Sequence, residues 1–260
     1  MAEFNVELML VEATKLPMVK IDREKFLRTE LGSRYDKNTV NLAIEYSPAY
    51  AGIRVEDIDN IAKSCIVAET RNVTTISTLA GMPGGFAAIG TITADVIQYF
   101  AHILRILQKL IYLYGWSDLN LDSENMNEET KNRLIIFLGV MFGANQATKA
   151  ISKLSPIVAE QIVKKLPQKA LTKGVIYPIV KKISAFLGVK MTKEIFAKNV
   201  AKIVPILGGI VSGGITYITF SPMAHNLRRY LSTLELANVD YIRSKKSSDQ
   251  EIIDVEFIED

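Results

Sequence analysis

The stretch Ala94-Asp95-Val96-Ile97-Gln98-Tyr99-Phe100-Ala101-His102-Ile103-Leu104-Arg105-Ile106-Leu107-Gln108-Lys109-Leu110-Ile111-Tyr112-Leu113-Tyr114 decides the fold. Asp95, Gln98, His102, Arg105 and Lys109 are spaced 3, 4, 3 and 4 residues apart. Ile92, Val96, Phe100, Ile103, Leu107, Leu110 and Ile111 take the opposite side. A period near 3.6 residues puts each set on one face of a helix. The spacing predicts a helix from about Phe86 to Tyr114, stopped by Gly115. The polar stripe has two readings. In one the helix is amphipathic and the stripe faces water. In the other it is a buried network in which Asp95 pairs with Arg228 or Arg229, because buried charges need partners. A catalytic use, with Asp95 as base and His102 as proton carrier, meets a distance problem, since seven residues span about 10 Å of helix.

The same period extends outward. Ile58, Ile61, Ala62, Cys65, Ile66, Val73 and Ile76 recur at three- and four-residue spacing, which makes Cys65 a core thiol. Gly81-Met82-Pro83-Gly84-Gly85 then breaks the chain, and Asn127 is placed to cap a helix after the polar loop from Ser117. Ser155-Pro156 reads as a helix start, a hydroxyl cap followed by proline at the first helical position. Pro167 and Pro178 split the next stretch, Gly188 ends it, and Thr192 caps a further helix. The alternation from Ile252 to Ile258 reads as a short strand or a sticky tail. No pair of strands joined by a turn dipeptide is evident. The expected fold is all-α, a compact multi-helix bundle with two glycine-rich helical hairpins. Residues 1–20 read as an N-terminal extension, 21–242 as one helical domain, and 243–260 as an acidic tail.

Two stretches carry no charge, Asn72–Ala94 and Ile203–Leu227. Each is long enough to span a bilayer. Only 11 of 23 and 13 of 25 residues are apolar, however, and Pro83, Pro205 and Pro222 interrupt them. Burial in a core, or hairpins dipping into a membrane, suits them better. At an offset of 124, Gly84-Gly85 aligns with Gly208-Gly209, Gly90 with Gly214, Arg105 with Arg229 and Leu107 with Leu231, a pseudo-repeat pattern. Gly81/Gly85, Gly139/Gly143 and Gly209/Gly213 have the small-xxx-small spacing of close helix packing. Gly208, Gly209, Gly213 and Gly214 therefore read as packing glycines. A phosphate loop would need a base nearby, and none follows for fourteen residues.

Several of these segments together resemble the EcsC family of bacterial proteins. They are Ala80-Gly81-Met82-Pro83-Gly84-Gly85, Ala94 to Phe100, Gln108-Lys109-Leu110 and Tyr112-Leu113-Tyr114-Gly115. Asp22 to Leu27, Ser47 to Ile53 and Pro205 to Gly214 fit as well, so the resemblance spans about residues 20 to 240. Thr93 stands where the family pattern has proline. The resemblance implies membrane association, and some members are encoded beside an ABC-type transporter. It carries no catalytic residue set.

Composition narrows the function classes. Hydrophobic residues make up 48% and mean hydropathy is +0.16, which excludes a disordered chain. One cysteine excludes a disulfide scaffold or a Cys-based zinc site, and two histidines leave little room for another metal site. No metal and no cofactor is expected. Met1 to Pro17 carries three glutamates and no base before Lys15, so no secretory signal is expected. Gly-x-Ser-x-Gly, P-loop, dinucleotide and His-Glu-x-x-His motifs are absent from the sequence. Between Lys149 and Lys202 twelve lysines face two acids, whereas Asp249 to Asp260 has six acids and no base. The surface expected to meet a polyanion is Lys164, Lys165, Lys169, Lys173, Lys181, Lys182, Lys198 and Lys202. The alternative is a solvated lysine face. Nucleic acid is disfavoured, because arginine is missing between Arg133 and Arg228. Tyr112, Tyr114 and Trp116 read either as an interfacial aromatic cluster or as packing at a helix end.

The expected protein is cytoplasmic and peripheral to the inner membrane. It binds anionic lipid or a membrane protein and acts as an accessory protein more than an enzyme. Two alternatives stay open: a hydrolase-like enzyme on a lipid or amphiphile using Asp95 and His102, and a membrane-permeabilising defence-type protein. The acidic tail from Glu251 would cover the basic surface or bind a partner.

Overall fold

The computed structural model describes residues 6–80, 94–121, 126–166, 180–188 and 208–256, and among them every regular element is helical. The helices are α1 (Val6–Thr14), α2 (Arg23–Gly32), α3 (Lys37–Glu45), α4 (Val55–Ala80), α5 (Ala94–Leu113), α6 (Glu128–Met141), α7 (Asn145–Val163), α8 (180–188), α9 (Gly208–Leu231) and α10 (Val239–Glu256). A 3₁₀ turn, Glu235–Ala237, joins the last two.

Local chemistry sets the helix ends. Asp22, Asp36 and Asn127 each turn a side-chain oxygen onto an orphan N–H of the first turn of α2, α3 and α6. Gly115 closes α5 in the left-handed region at φ +91°, with Trp116 N–H donating to the Ile111 carbonyl. A Cβ at Gly115 would lie 3.1 Å from the Ser47 Cβ, so this glycine also admits a neighbour.

Packing centres on α5, which touches α1, α2, α4 and α9. Phe100, Ile103, Leu104, Ile106, Leu107, Leu110 and Ile111 are fully buried. The apolar set therefore surrounds α5 instead of forming one stripe, as expected of a helix in the middle of a bundle. Residues 1–20 contribute α1, whose Met9, Leu10 and Ala13 are fully buried.

Two local expectations are corrected. Ser155-Pro156 does not start a helix: α7 begins at Asn145 and carries Pro156 inside it. Ser155 is fully buried and its Oγ accepts from Leu236 N–H, while Ile151, Val158, Ala159 and Ile162 bury the flanking turns. Tertiary packing thus carries the helix through a residue that lacks a backbone donor. The Ile252 alternation is not a strand, since α10 runs through Glu256 and crosses the boundary drawn at residue 243.

Gly81, Pro83, Gly84, Gly85, Pro167, Pro178, Thr192 and Pro205 lie outside the described residues. Gly208, Gly209, Gly213 and Gly214 fall within the first turns of α9. Gly139 is a close-packing position: a Cβ there would lie 2.6 Å from the Ala147 Cβ and 2.7 Å from the Ile183 Cγ2. It lets α7 and α8 approach α6. Gly143 instead closes α6 at φ +82° with open space around it.

Gly139→Ala should overpack this junction and destabilise the protein by about 1–3 kcal/mol. Urea unfolding would check this as a lower midpoint with an unchanged slope.

Candidate functional site

The face of α4 that the periodicity marks as apolar is buried at Ile58, Ile61, Ala62, Cys65, Ile66 and Val73. Glu69 lies on the same face, four residues after Cys65 and four before Val73, and is fully buried. Three bases from α5 surround its carboxylate. His102 Nδ1 lies 2.7 Å from Oε1, Arg105 Nε donates to Oε1 at 2.9 Å, and Lys109 Nζ donates to Oε2 at 2.8 Å. Positions 102, 105 and 109 share one side of a helix, so all three reach one point.

This geometry decides between the two readings of the stripe. Its His102, Arg105 and Lys109 members do not face water: their side chains are 3%, 21% and 16% exposed. They form a buried network, and its partner is Glu69 on α4. The expected pairing of Asp95 with Arg228 or Arg229 falls on a side chain outside the described residues; the partners seen for the two arginines are others. Arg228 pairs with Asp59, and Arg229 Nη2 donates to Asn226 Oδ1 at 2.6 Å. The Asp95 side chain lies outside the described residues, and Gln98 is half-buried outside the cluster.

Burial alone would raise the Glu69 pKa. The hydrogen bonds from His102 and Lys109, with the charges of Lys109 and Arg105, more than offset it and hold the value at about 2. A carboxylate this acidic is an acceptor at every ordinary pH, so the His102 proton belongs on Nδ1. Nε2 is buried, with no hydrogen-bond partner among the described residues. Cys65, one turn away, has its thiol pushed up to about 12 by burial and by the charge of Glu30. It is the inert core thiol that its position in the apolar repeat suggests.

A second acid of α4 repeats the theme. Asp59 accepts from Tyr114 Oη at 2.9 Å and Lys63 Nζ at 2.9 Å and pairs with Arg228 of α9. Arg228 Nε also lies 3.3 Å from His225 Nδ1. Burial and then the charges of Arg228 and Arg229 hold the His225 pKa below its ordinary value. The α5 stripe has one more task. Arg105 Nη1 donates to the Met18 carbonyl, and Gln108 bonds the backbone of Val19 and Ile21, which fixes the strap between α1 and α2.

Tyr112, Tyr114 and Trp116 are buried, with Tyr112 Oη on Asp118 and the Trp116 ring edge-on to Phe137 at 5.1 Å. They pack a helix end and do not face an interface. Among the predicted surface lysines, Lys164, Lys165, Lys181 and Lys182 are exposed. Lys169, Lys173, Lys198 and Lys202 lie outside the described residues. Lys164 pairs with Glu160 at 2.8 Å.

Among the described residues no group of His, Cys, Asp and Glu is placed to hold a metal ion, and no helix is long and apolar enough to cross a membrane. Compared with family models, curated proteins and solved structures, the chain matches none.

The Glu69 cluster leads to two testable outcomes. Its pKa is lower in the fold than the ordinary 4.5, so its contribution to stability is complete above 4.5 and drains as pH falls towards 2. Glu69→Gln should cost about 3 kcal/mol near neutrality and flatten that acid limb, as read by urea unfolding across pH. Cys65 should resist a thiol reagent at about pH 8 in the native protein and react at once in guanidinium.

Proposed function

We propose that this chain is a bacterial, EcsC-like accessory protein that sits on the cytoplasmic face of the inner membrane and contacts anionic lipid or a membrane protein there. One observation carries the reading. Within the lysine-rich region, exposed lysines alternate with exposed apolar side chains. Lys149, Lys153, Lys164, Lys165, Lys181 and Lys182 are exposed, and so are Ile157 (42%), Leu166 (53%) and Phe186 (37%). Cationic heads beside apolar groups are what a headgroup layer binds: the charge gathers anionic lipid and the apolar groups enter the boundary.

A catalytic reading has one observation behind it, the free Nε2 of His102 on a carboxylate-held imidazole. Among the described residues the hydrogen-bond partner of that imidazole is Glu69, a carboxylate already held by Arg105 and Lys109. The accessory role therefore fits better.

Flotation with vesicles, at low and high salt and with a carbonate wash, tests the membrane role. The proposal expects binding to anionic but not neutral vesicles, lost in salt and lost in the Lys181→Ala/Lys182→Ala variant. No binding to either vesicle would overturn it. Carbonate-resistant binding with dye release would replace it by the permeabilising reading.

A further inference from the structure

A cleft of about 750 Å³ opens where the start of α2 meets the ends of α3 and α7 and the loop after α5. That is within the range of small-molecule sites. Its lining combines cations (Arg23, Lys20, Lys165), carboxylates, and an apolar wall of Ile44, Ile162 and Leu166.

Arg23 is the unusual member. Its Nε donates to the Trp116 carbonyl at 3.2 Å and its Nη1 to the Ile44 carbonyl at 2.6 Å. Both partners are neutral, and the guanidinium has no ion pair among the described residues, while Nη2 has no hydrogen bond to them. Burial pushes the Arg23 pKa down, and the nearby Asp118 carboxylate only partly opposes this. The main chain thus holds the guanidinium at the wall of the cleft with no contact ion pair among the described residues and with Nη2 left over, an arrangement that an anion would complete.

Lys165 repeats the pattern. Its Nζ lies 5.8 Å over the Tyr46 ring and has no ion pair among the described residues. Its backbone sits at φ +53°, closing α7 in a conformation that favours glycine. A lysine held there at a backbone cost points to a use for its charge.

The four carboxylates of the lining each have a partner within the chain already. Asp22 caps α2, Glu24 pairs with Arg28, Glu45 bonds Tyr46, and Asp118 accepts from Tyr112 and Asn120. Four carboxylates around the opening repel a polyanion such as nucleic acid more than one phosphate set against Arg23. Leu166, half-exposed at the rim, supplies an apolar contact for the group that carries the phosphate.

We infer that this cleft binds a single phosphate group carried on a small polar or amphiphilic molecule, with the Arg23 guanidinium, through Nη2, as the first cation and Lys165 as the second. The lipid source of that phosphate rests on the membrane reading above; the phosphate site itself does not.

The test is calorimetry of the full chain with inorganic phosphate, glycerol phosphate and phosphatidylglycerol vesicles, alongside emission from Trp116, whose carbonyl holds Arg23. Arg23→Lys keeps the charge but loses the guanidinium that both bonds the Trp116 and Ile44 carbonyls and presents Nη2. Lys165→Gly removes the charge and suits the backbone, so its fold is preserved. Saturable binding of glycerol phosphate, about tenfold weaker in both variants, supports the site with a free phosphate as ligand. Binding of phosphatidylglycerol vesicles alone, weakened in the same variants, supports it with a lipid headgroup as ligand. Saturable binding that both variants retain overturns it, and so does the absence of saturable binding to all three probes. Lys181→Ala/Lys182→Ala, outside the cleft, separates the two proposals. If that variant loses flotation but keeps glycerol phosphate, the membrane surface and the phosphate site are independent. If wild-type protein floats normally but Arg23→Lys and Lys165→Gly change nothing, the cleft proposal alone fails.

Discussion

A single carboxylate with no access to water organises this bundle. Glu69 would be among the costliest groups in the core if it stood alone, and α4 could not then bury the face that carries it. Three bases of α5 remove that penalty only when the two helices meet in one register. The apolar side chains around them tolerate small slips, but the ion cluster does not. Asp59 adds a second pin ten residues earlier, about 15 Å along α4, and ties in α9 through Arg228. Two acids on one helix therefore orient both of its main neighbours. A cluster of this kind contributes less to net stability than to the choice of one arrangement among many.

The helical class was legible because a 3.6-residue repeat survives in sequence whatever its partner. So were Asn127 as a cap and Gly115 as a stop, since both act through backbone groups within a few residues. The stripe on α5 was legible as a set but not in its direction. A row of Asp, Gln, His, Arg and Lys looks the same facing water or facing one buried acid. The signal that could have decided it was Glu69, an acid set at four-residue spacing between Cys65 and Val73 in an otherwise apolar row. Ser155-Pro156 misled for a related reason. The pair is a good start signal locally, and only the contact with Leu236, 81 residues away, turns it into the middle of a helix. Arg23 was invisible as a candidate, because its distinguishing feature is that, among the described residues, no carboxylate pairs with it in three dimensions.

The two proposals use different parts of the surface for different tasks. In the first, the exposed lysines of α7 and α8 would act through number and spread, which gives attraction without shape. The cleft at Arg23 acts through fixed donors, which gives shape with little charge. A protein built to find a membrane and then recognise something there needs both properties. Lys165 and Leu166 belong to each, standing at the end of α7 where the broad surface meets the cleft.

The strap held by Arg105 and Gln108 has a consequence for biosynthesis. Met18 and Val19 are 87 and 89 residues away from the side chains that hold them. At about 5–20 residues per second, the first helix leaves the ribosome roughly 4 to 18 s before α5 exists to receive it. For that interval Met9, Leu10 and Ala13, all fully buried in the finished protein, have no docking site. The newborn chain must keep this short apolar segment from other company until its hub is made.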